Sequence, residues 1–578
     1  MSFGTTLLWT LGKGRAIIAH MMTLSRFHRR SLLVSSAAFV AGRLVAKHPV
    51  ALAQEATPQA SAPIVLHANR VPRNANPTGE QLLRLAGTTI DPTPLDPAFA
   101  RDVNSAFLTR QVFRGLTRFD ENLEPTPELA ETIEISPDGL TYRFTLSDNA
   151  RFADGRQITA DDVVYSIRRA LSPQTALEVG AALAGPSYLN DIAGAADFIA
   201  GVSSELPGLV AIDDRTVEIT LEEPRATFLM KLASAPGAVV DRNDVERGGE
   251  WWRSPNASGP FVVSSWEPNV QLRLGRNENY VGGPPDLEAV TFRVGPSASN
   301  AFNLYQADEI DTVQVPILAI DRVSDPGSEL YPELTVSPIL STQYIAFRDD
   351  VAPMDDPEIR RAVELAFPRW KVARILLNGQ QTPAHGIIPP GTLGREWPAS
   401  ALEPDLDAAR EAIARSSYGS AERVPPIRIY GATPFASEAL RDVLEEELGL
   451  TVEVMDVHWP QYNAGLASRS FPAFELTWVA DFPDPETFLW NLFATGSPDN
   501  YSDYSNPEYD AILEEAARTF DTDERAKLYA EAEALLLADS VILPISHDIR
   551  FTLTKPQVKG LEMTPLGQLY LETAWLEH

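Results

Sequence analysis

Pro426-Ile427-Arg428-Ile429-Tyr430, a following stretch with Leu440, Val443, Leu444 and Leu448 on one face, then Gly449 and Thr451-Val452-Glu453-Val454, set the fold class. Alternating apolar residues in the two outer runs read as strands, and the spacing of the leucines reads as an amphipathic helix stopped by glycine. A strand–helix–strand unit of this length belongs to a parallel sheet. Upstream, Thr141-Tyr142-Arg143-Phe144-Thr145-Leu146 and Thr216-Val217-Glu218-Ile219-Thr220-Leu221 alternate polar and apolar side chains, as half-buried strands do. Downstream, helical patterns cover Glu508 to Thr519 and Asp523 to Ala538, before Val541-Ile542-Leu543-Pro544 returns to extended chain. The sum is an α/β body.

At 578 residues the chain exceeds what one core supplies, since cores stop growing at about 250–300 residues. Several lobes are expected. With 79 Asp+Glu against 48 Lys+Arg, a net charge of −31 argues against nucleic acid as a partner, because phosphates are held mainly by Lys and Arg. Zero cysteines exclude disulfides, thiolate catalysis and a lipid-modified cysteine. Residues 1–53 hold seven basic side chains and no acid around an apolar run from Leu32 to Val40, ending at Ala51-Leu52-Ala53. That is the layout of a signal peptide cleaved after Ala53, too short in its apolar part for the ~20 residues of a membrane span. Arg29-Arg30 before Ser31-Leu32-Leu33 resembles a twin-arginine signal, with ordinary secretion as the other route. Residues 54–80 read as a flexible N-terminal segment.

Catalytic patterns are missing. No H-E-x-x-H, G-x-S-x-G or G-x-x-x-x-G-K-[ST] occurs, and the five histidines after the leader, at 67, 385, 458, 547 and 578, lack metal-ligand spacing. No enzyme activity, catalytic residue, metal site or cofactor is expected. A secreted hydrolase is the remote alternative.

One long run carries a family resemblance: Leu123-Glu124-Pro125-Thr126-Pro127-Glu128-Leu129-Ala130-Glu131, Asp138-Gly139-Leu140, and Ala150-Arg151-Phe152-Ala153-Asp154-Gly155-Arg156-Gln157-Ile158-Thr159-Ala160-Asp161-Asp162-Val163. It resembles the signature of the extracytoplasmic solute-binding proteins of peptide-importing ABC transporters, the family-5 oligopeptide/dipeptide type. By chemistry these residues are scaffold: Asp-Gly turns bound strands, and Thr159 with Asp162 caps a helix. A second run, Trp478-Val479-Ala480-Asp481-Phe482-Pro483-Asp484-Pro485, is similar to the ligand-pocket strand and turn of the oligopeptide binders.

The resemblance implies a two-lobed periplasmic-binding-protein fold of the large class, with an extra subdomain, mixed sheets, flanking helices and a hinge of crossing strands. It implies an N-terminal lobe over 81–296, a second lobe over 297–544 and a return to the first over 545–578. It further implies a monomeric periplasmic receptor that closes on a peptide and delivers it to a permease and ATPase complex. The carboxylate matching Asp481 would hold the peptide's ammonium, with Trp478, Val479, Ala480 and Phe482 around it. Arg101, Asp102 and Val103 fall on the pocket-edge segment, and Arg469 falls where relatives carry a basic residue near the peptide's carboxyl end. A structural alternative is that Asp481 only caps a turn before Pro483. The same scaffold serving an oligosaccharide, opine or chelated metal is the alternative function.

Overall fold

The computed structural model describes residues 63–578 apart from 70–74, 89, 90, 93, 102, 374–378, 380 and 395–402. The expected signal peptide and Asp102 therefore lie outside the described residues.

The strand–helix–strand unit forms as its pattern dictates. Ile427–Gly431 and Val452–Asp456 pair in parallel, and the helix Phe435–Leu448 between them buries Ala436, Leu440, Leu444 and Leu448. Gly449 ends that helix at φ 69°, a left-handed conformation that costs glycine little. These strands begin a 12-stranded sheet that continues through Ala473–Val479, Ser341–Phe347, Ile542–Thr554, Thr312–Gln314, Leu82–Ala86, Ala289–Arg293, Gln271–Arg276 and Phe261–Glu267. A separate five-stranded antiparallel sheet contains both alternating runs read from the sequence, Thr141–Leu146 and Thr216–Thr220. Its edge is Ile64–His67, inside the segment expected to be flexible, where a short apolar run adds to Ala130–Ile135 and Leu66 packs on the core.

The expected cap also forms. Thr159 N–H donates to Asp162 Oδ2 at 2.9 Å at the start of the helix Ala160–Leu171, and Arg156 grips the same carboxylate at 2.9 and 3.0 Å. The helix capped in this way packs on the small sheet.

One strand holds the large sheet together. Ile542–Thr554, 13 residues long, pairs at its start with Ser341–Phe347 and farther along with Leu334–Pro338 and Thr312–Gln314. Its early residues serve the core around Ile345, Phe347 and Ile429, while Leu553 serves the one around Tyr305 and Val313. Strand pairing thus changes partners at about 338–341 and about 546–549. The halves meet face to face: Phe119, Leu123, Met230 and Ala233 join Phe482, Phe488 and Leu489 in one buried cluster.

Candidate functional site

The strand Ala473–Val479 stops where it meets Asp481. Ala480 N–H donates to Leu340 O at 2.7 Å, the chain bends over 481–484, and the helix Glu486–Phe493 begins. The bend folds this helix back onto Asp481. Thr487 uses its hydroxyl fully, accepting the Asp481 N–H at 3.1 Å and the Trp478 indole N–H at 3.4 Å while donating to Asp481 Oδ2 at 3.2 Å. Asn491, one turn on, donates to the same oxygen at 3.3 Å. From the opposite half, the Tyr188 hydroxyl donates to Asp481 Oδ1 at 2.8 Å.

Three donors leave one of the carboxylate's roughly four acceptor positions open. No cation pairs with Asp481 among the described residues. Burial, aided by the charge of Asp499, pushes it up to about 6 against the opposing bonds from Tyr188, Thr487 and Asn491. Burial, and then Asp481, pushes the Tyr188 hydroxyl well above its ordinary range, so it stays a donor. Asp481 is accordingly an ion short of a counterion at neutral pH, held in a pre-formed cradle.

It borders a cavity of about 60 Å³ lined also by Val479, Ala480, Arg101, Val103, Arg110 and Tyr188. Arg101 is exposed at its edge, and Val103 opens the helix Val103–Val112 that carries Arg110 into it. Of the remaining described candidates, Trp478 braces the Asp481 cradle through Thr487, and Phe482 and Arg469 point to other partners. Phe482 is 1% exposed and belongs to the core between the halves. Trp478 packs partly against that core. Arg469 turns away to pair with Asp503 at 2.8 Å and with Asn500 O at 3.2 Å, and no part of it lines the cavity. Burial, and then Asp499, raises the Tyr501 hydroxyl above its ordinary value against the charges of Arg101 and Arg469. Arg110, Thr487, Asn491 and Gln568 were not singled out from sequence. Arg110 lies within a helix whose pattern gives no ligand signal, and Leu566-Gly567-Gln568 is distant along the chain.

Beside the cavity a buried ionic cluster ties the halves. Lys231 Nζ pairs with Asp191 at 3.0 Å and, across the junction, with Glu486 at 2.6 Å. Thr227 donates to Glu486 Oε2 at 2.6 Å, and Asp484 meets Arg525 at 3.1 Å. Burial alone would lower the Lys231 ammonium, but Asp191 and Glu486 outweigh it and hold it above its ordinary value. Burial pushes Asp484 up to about 6 despite Arg525. This cluster is saturated internally, unlike Asp481. Among the described residues no group of His, Asp and Glu is arranged to hold a metal, and no helix is long and apolar enough to cross a membrane.

Residues 124–500 match the model of the bacterial extracellular solute-binding proteins, family 5. The chain is 28% identical over 515 residues to the periplasmic oligopeptide-binding protein OppA of Salmonella typhimurium, covering 86% of this chain and 92% of that one. Among solved structures, Haemophilus influenzae OppA in complex with RPPGFSPFR aligns with a TM-score of 0.74 at 25% identity, over 87% of this chain and all of that one. The Escherichia coli murein tripeptide binding protein MppA aligns at 0.73 and 26% identity, with the same coverage.

Proposed function

We propose, from the premise that the chain belongs to the bacterial extracellular solute-binding proteins of family 5, that it captures peptides by their free amino terminus and passes them to an ATP-driven importer. The observation that carries this reading is Asp481: a carboxylate with three donors, one open position, no cation partner among the described residues and a place on the cavity shared by the two halves. A peptide ammonium supplies the missing counterion, and a charge-assisted bond away from bulk water is stronger than a surface pair.

The adjacent strand supports a backbone mode of binding. Ser341–Phe347 covers one edge of Ala473–Val479, whereas on the other edge Ile427–Gly431 pairs only at Phe474. The open edge beside Asp481 suits an extended peptide added as a strand, which gives affinity independent of side chains. The names of the Salmonella and Haemophilus relatives point to the same ligand class.

Entry requires motion. A space of about 60 Å³ has room for a few waters and not for a peptide, so the lobes must part and close again. The two crossings of the strand pairing, at about 338–341 and 546–549, are the proposed hinge. The bounds expected from sequence were 296 and 544; the pairing of Thr312–Gln314 with Leu82–Ala86, and of both Thr312–Gln314 and Leu334–Pro338 with the later part of Ile542–Thr554, supports the later hinge. The ligand favours closure by the difference in its affinity for the two states. Export to the periplasm by the basic leader, and handover to a separate permease and ATPase, complete the reading.

The test is mass spectrometry of small molecules released by denaturing the gently purified protein. Peptides with unblocked amino termini are expected at up to one per chain. Release of only sugars or other amine-free solutes would contradict it.

A further inference from the structure

We propose that Arg110 is a specificity-determining residue that binds a ligand carboxylate lying close to the ammonium, so that the cleft prefers ligands with an acid beside their free amine. This rests on the amino-terminus reading of Asp481.

Arg110 sits in the last turn of the helix Val103–Val112 and faces two cavities, the one bordered by Asp481 and a neighbour lined by Arg114, Arg118 and Tyr570. Among the described residues it makes no ion pair or hydrogen bond. Its neighbours are matched instead. Arg114 pairs with Glu572 at 2.5 Å and Glu128 at 3.4 Å, and Arg118 pairs with Glu128 at 2.9 Å. Three guanidinium groups thus share two carboxylates, and Arg110 is the one left over. Burial lowers Arg110 to about 10, with Arg114 adding to that and Tyr570, Tyr188 and Glu572 opposing it, so it is a full cation at neutral pH.

Among the described residues the charged groups around the ligand space are Arg101 at its edge, Arg110, Asp481, and Asp499, which acts on Asp481 and Tyr188. Tyr188 links the two poles. Its hydroxyl bonds Asp481, and it lines the same cavity as Arg110, each acting on the other's charge. A half-buried guanidinium without a counterion is costly, and its planar fork fits a carboxylate in two parallel bonds. An anionic pole and a cationic pole on one small cavity therefore suit an ammonium and a carboxylate presented together. A last-turn arginine also favours the helix dipole, but that role is indifferent to the charge of a ligand.

The carboxylate has two possible sources, the side chain of an acidic first residue or the terminal carboxyl of a dipeptide. Calorimetry on the full exported chain separates them with Glu-Ala-Ala-Ala against its isostere Gln-Ala-Ala-Ala, and Ala-Ala against Ala-Ala-amide. At least tenfold tighter binding of the acid-bearing member is expected in one pair, collapsing to under twofold in Arg110→Gln and kept in part by Arg110→Lys. The pair that shows this identifies the source. Equal affinity within both pairs for the unaltered protein, a result that needs no variant to fold, overturns the proposal. So does a preference that survives in Arg110→Gln. If none of the four peptides binds, the amino-terminus reading itself has failed, and this inference goes with it.

Discussion

Replacing Asp481 by Asn should move binding and stability in opposite directions. In the free protein the ionised carboxylate has no cation partner among the described residues, and its rise from the ordinary 3.8 to about 6 amounts to ~3 kcal/mol of unfavourable environment. The sign follows from that rise. The protonated acid contributes stability in full below pH 3.8, and the contribution is lost as pH climbs through about 6. At pH 8 the neutral amide of Asp481→Asn escapes the penalty, so thermal melting should be unchanged or up to about 3 °C higher. Binding should suffer, because one partner of a desolvated charge pair is removed. The expected loss is ~2–5 kcal/mol, or about 30- to 5,000-fold in affinity for tetraalanine. Calorimetry and a melting curve on the same sample test both signs. A turn-capping role for Asp481 requires the reverse, a clearly lower melting temperature with affinity intact, and that result would refute the reasoning.

Affinity for free-amino peptides should fall as pH drops through about 6, approaching tenfold per unit below it, as Asp481 takes a proton; a flat titration between pH 5 and 8 would count against it. Tyr188→Phe removes a bond that favours the carboxylate, so the same midpoint should move to higher pH, read from affinity against pH. Lys231→Met strands Glu486 and weakens the hold on Asp191, and urea unfolding should report a loss of about 3–5 kcal/mol; under 1 kcal/mol would show the cluster to be replaceable. Gly259→Ala should destabilise by about 1–3 kcal/mol in the same assay, because a Cβ there would stand 2.7 Å from the Val112 carbonyl carbon.

The elements that could be read from sequence were those whose pattern is local. Leu440, Leu444 and Leu448 announce a helix face, Thr141 to Leu146 a half-buried strand, and Thr159 with Asp162 a cap, and each forms where its chemistry requires. The edge strand at Ile64–His67 escaped because four residues, mostly exposed, carry too little periodicity to separate from a leader. At the site, Asp481 was legible through the resemblance of its segment, but its environment was not. Tyr188 reaches it from 293 positions away, and Thr487 and Asn491 arrive only because a bend at 481–484 returns the next helix. Alternation along an ideal strand puts Trp478 and Phe482 on one face; the strand ends at Val479, yet both still reach one core, Phe482 fully buried in it and Trp478 partly packed against it. Arg110 carried no signal at all, since its lack of an ion pair among the described residues depends on how Glu128 and Glu572 are taken up by Arg114 and Arg118.

The most direct measurement of the central claim is the affinity of the unaltered protein for tetraalanine and for its amino-acetylated form, at pH 7.5 in one buffer. Acetylation removes the cation and leaves the rest of the backbone in place. The account predicts at least a 30-fold weaker complex for the acetylated peptide, the lower end of the loss for an unmatched buried charge. Equal affinity for the two forms would contradict it.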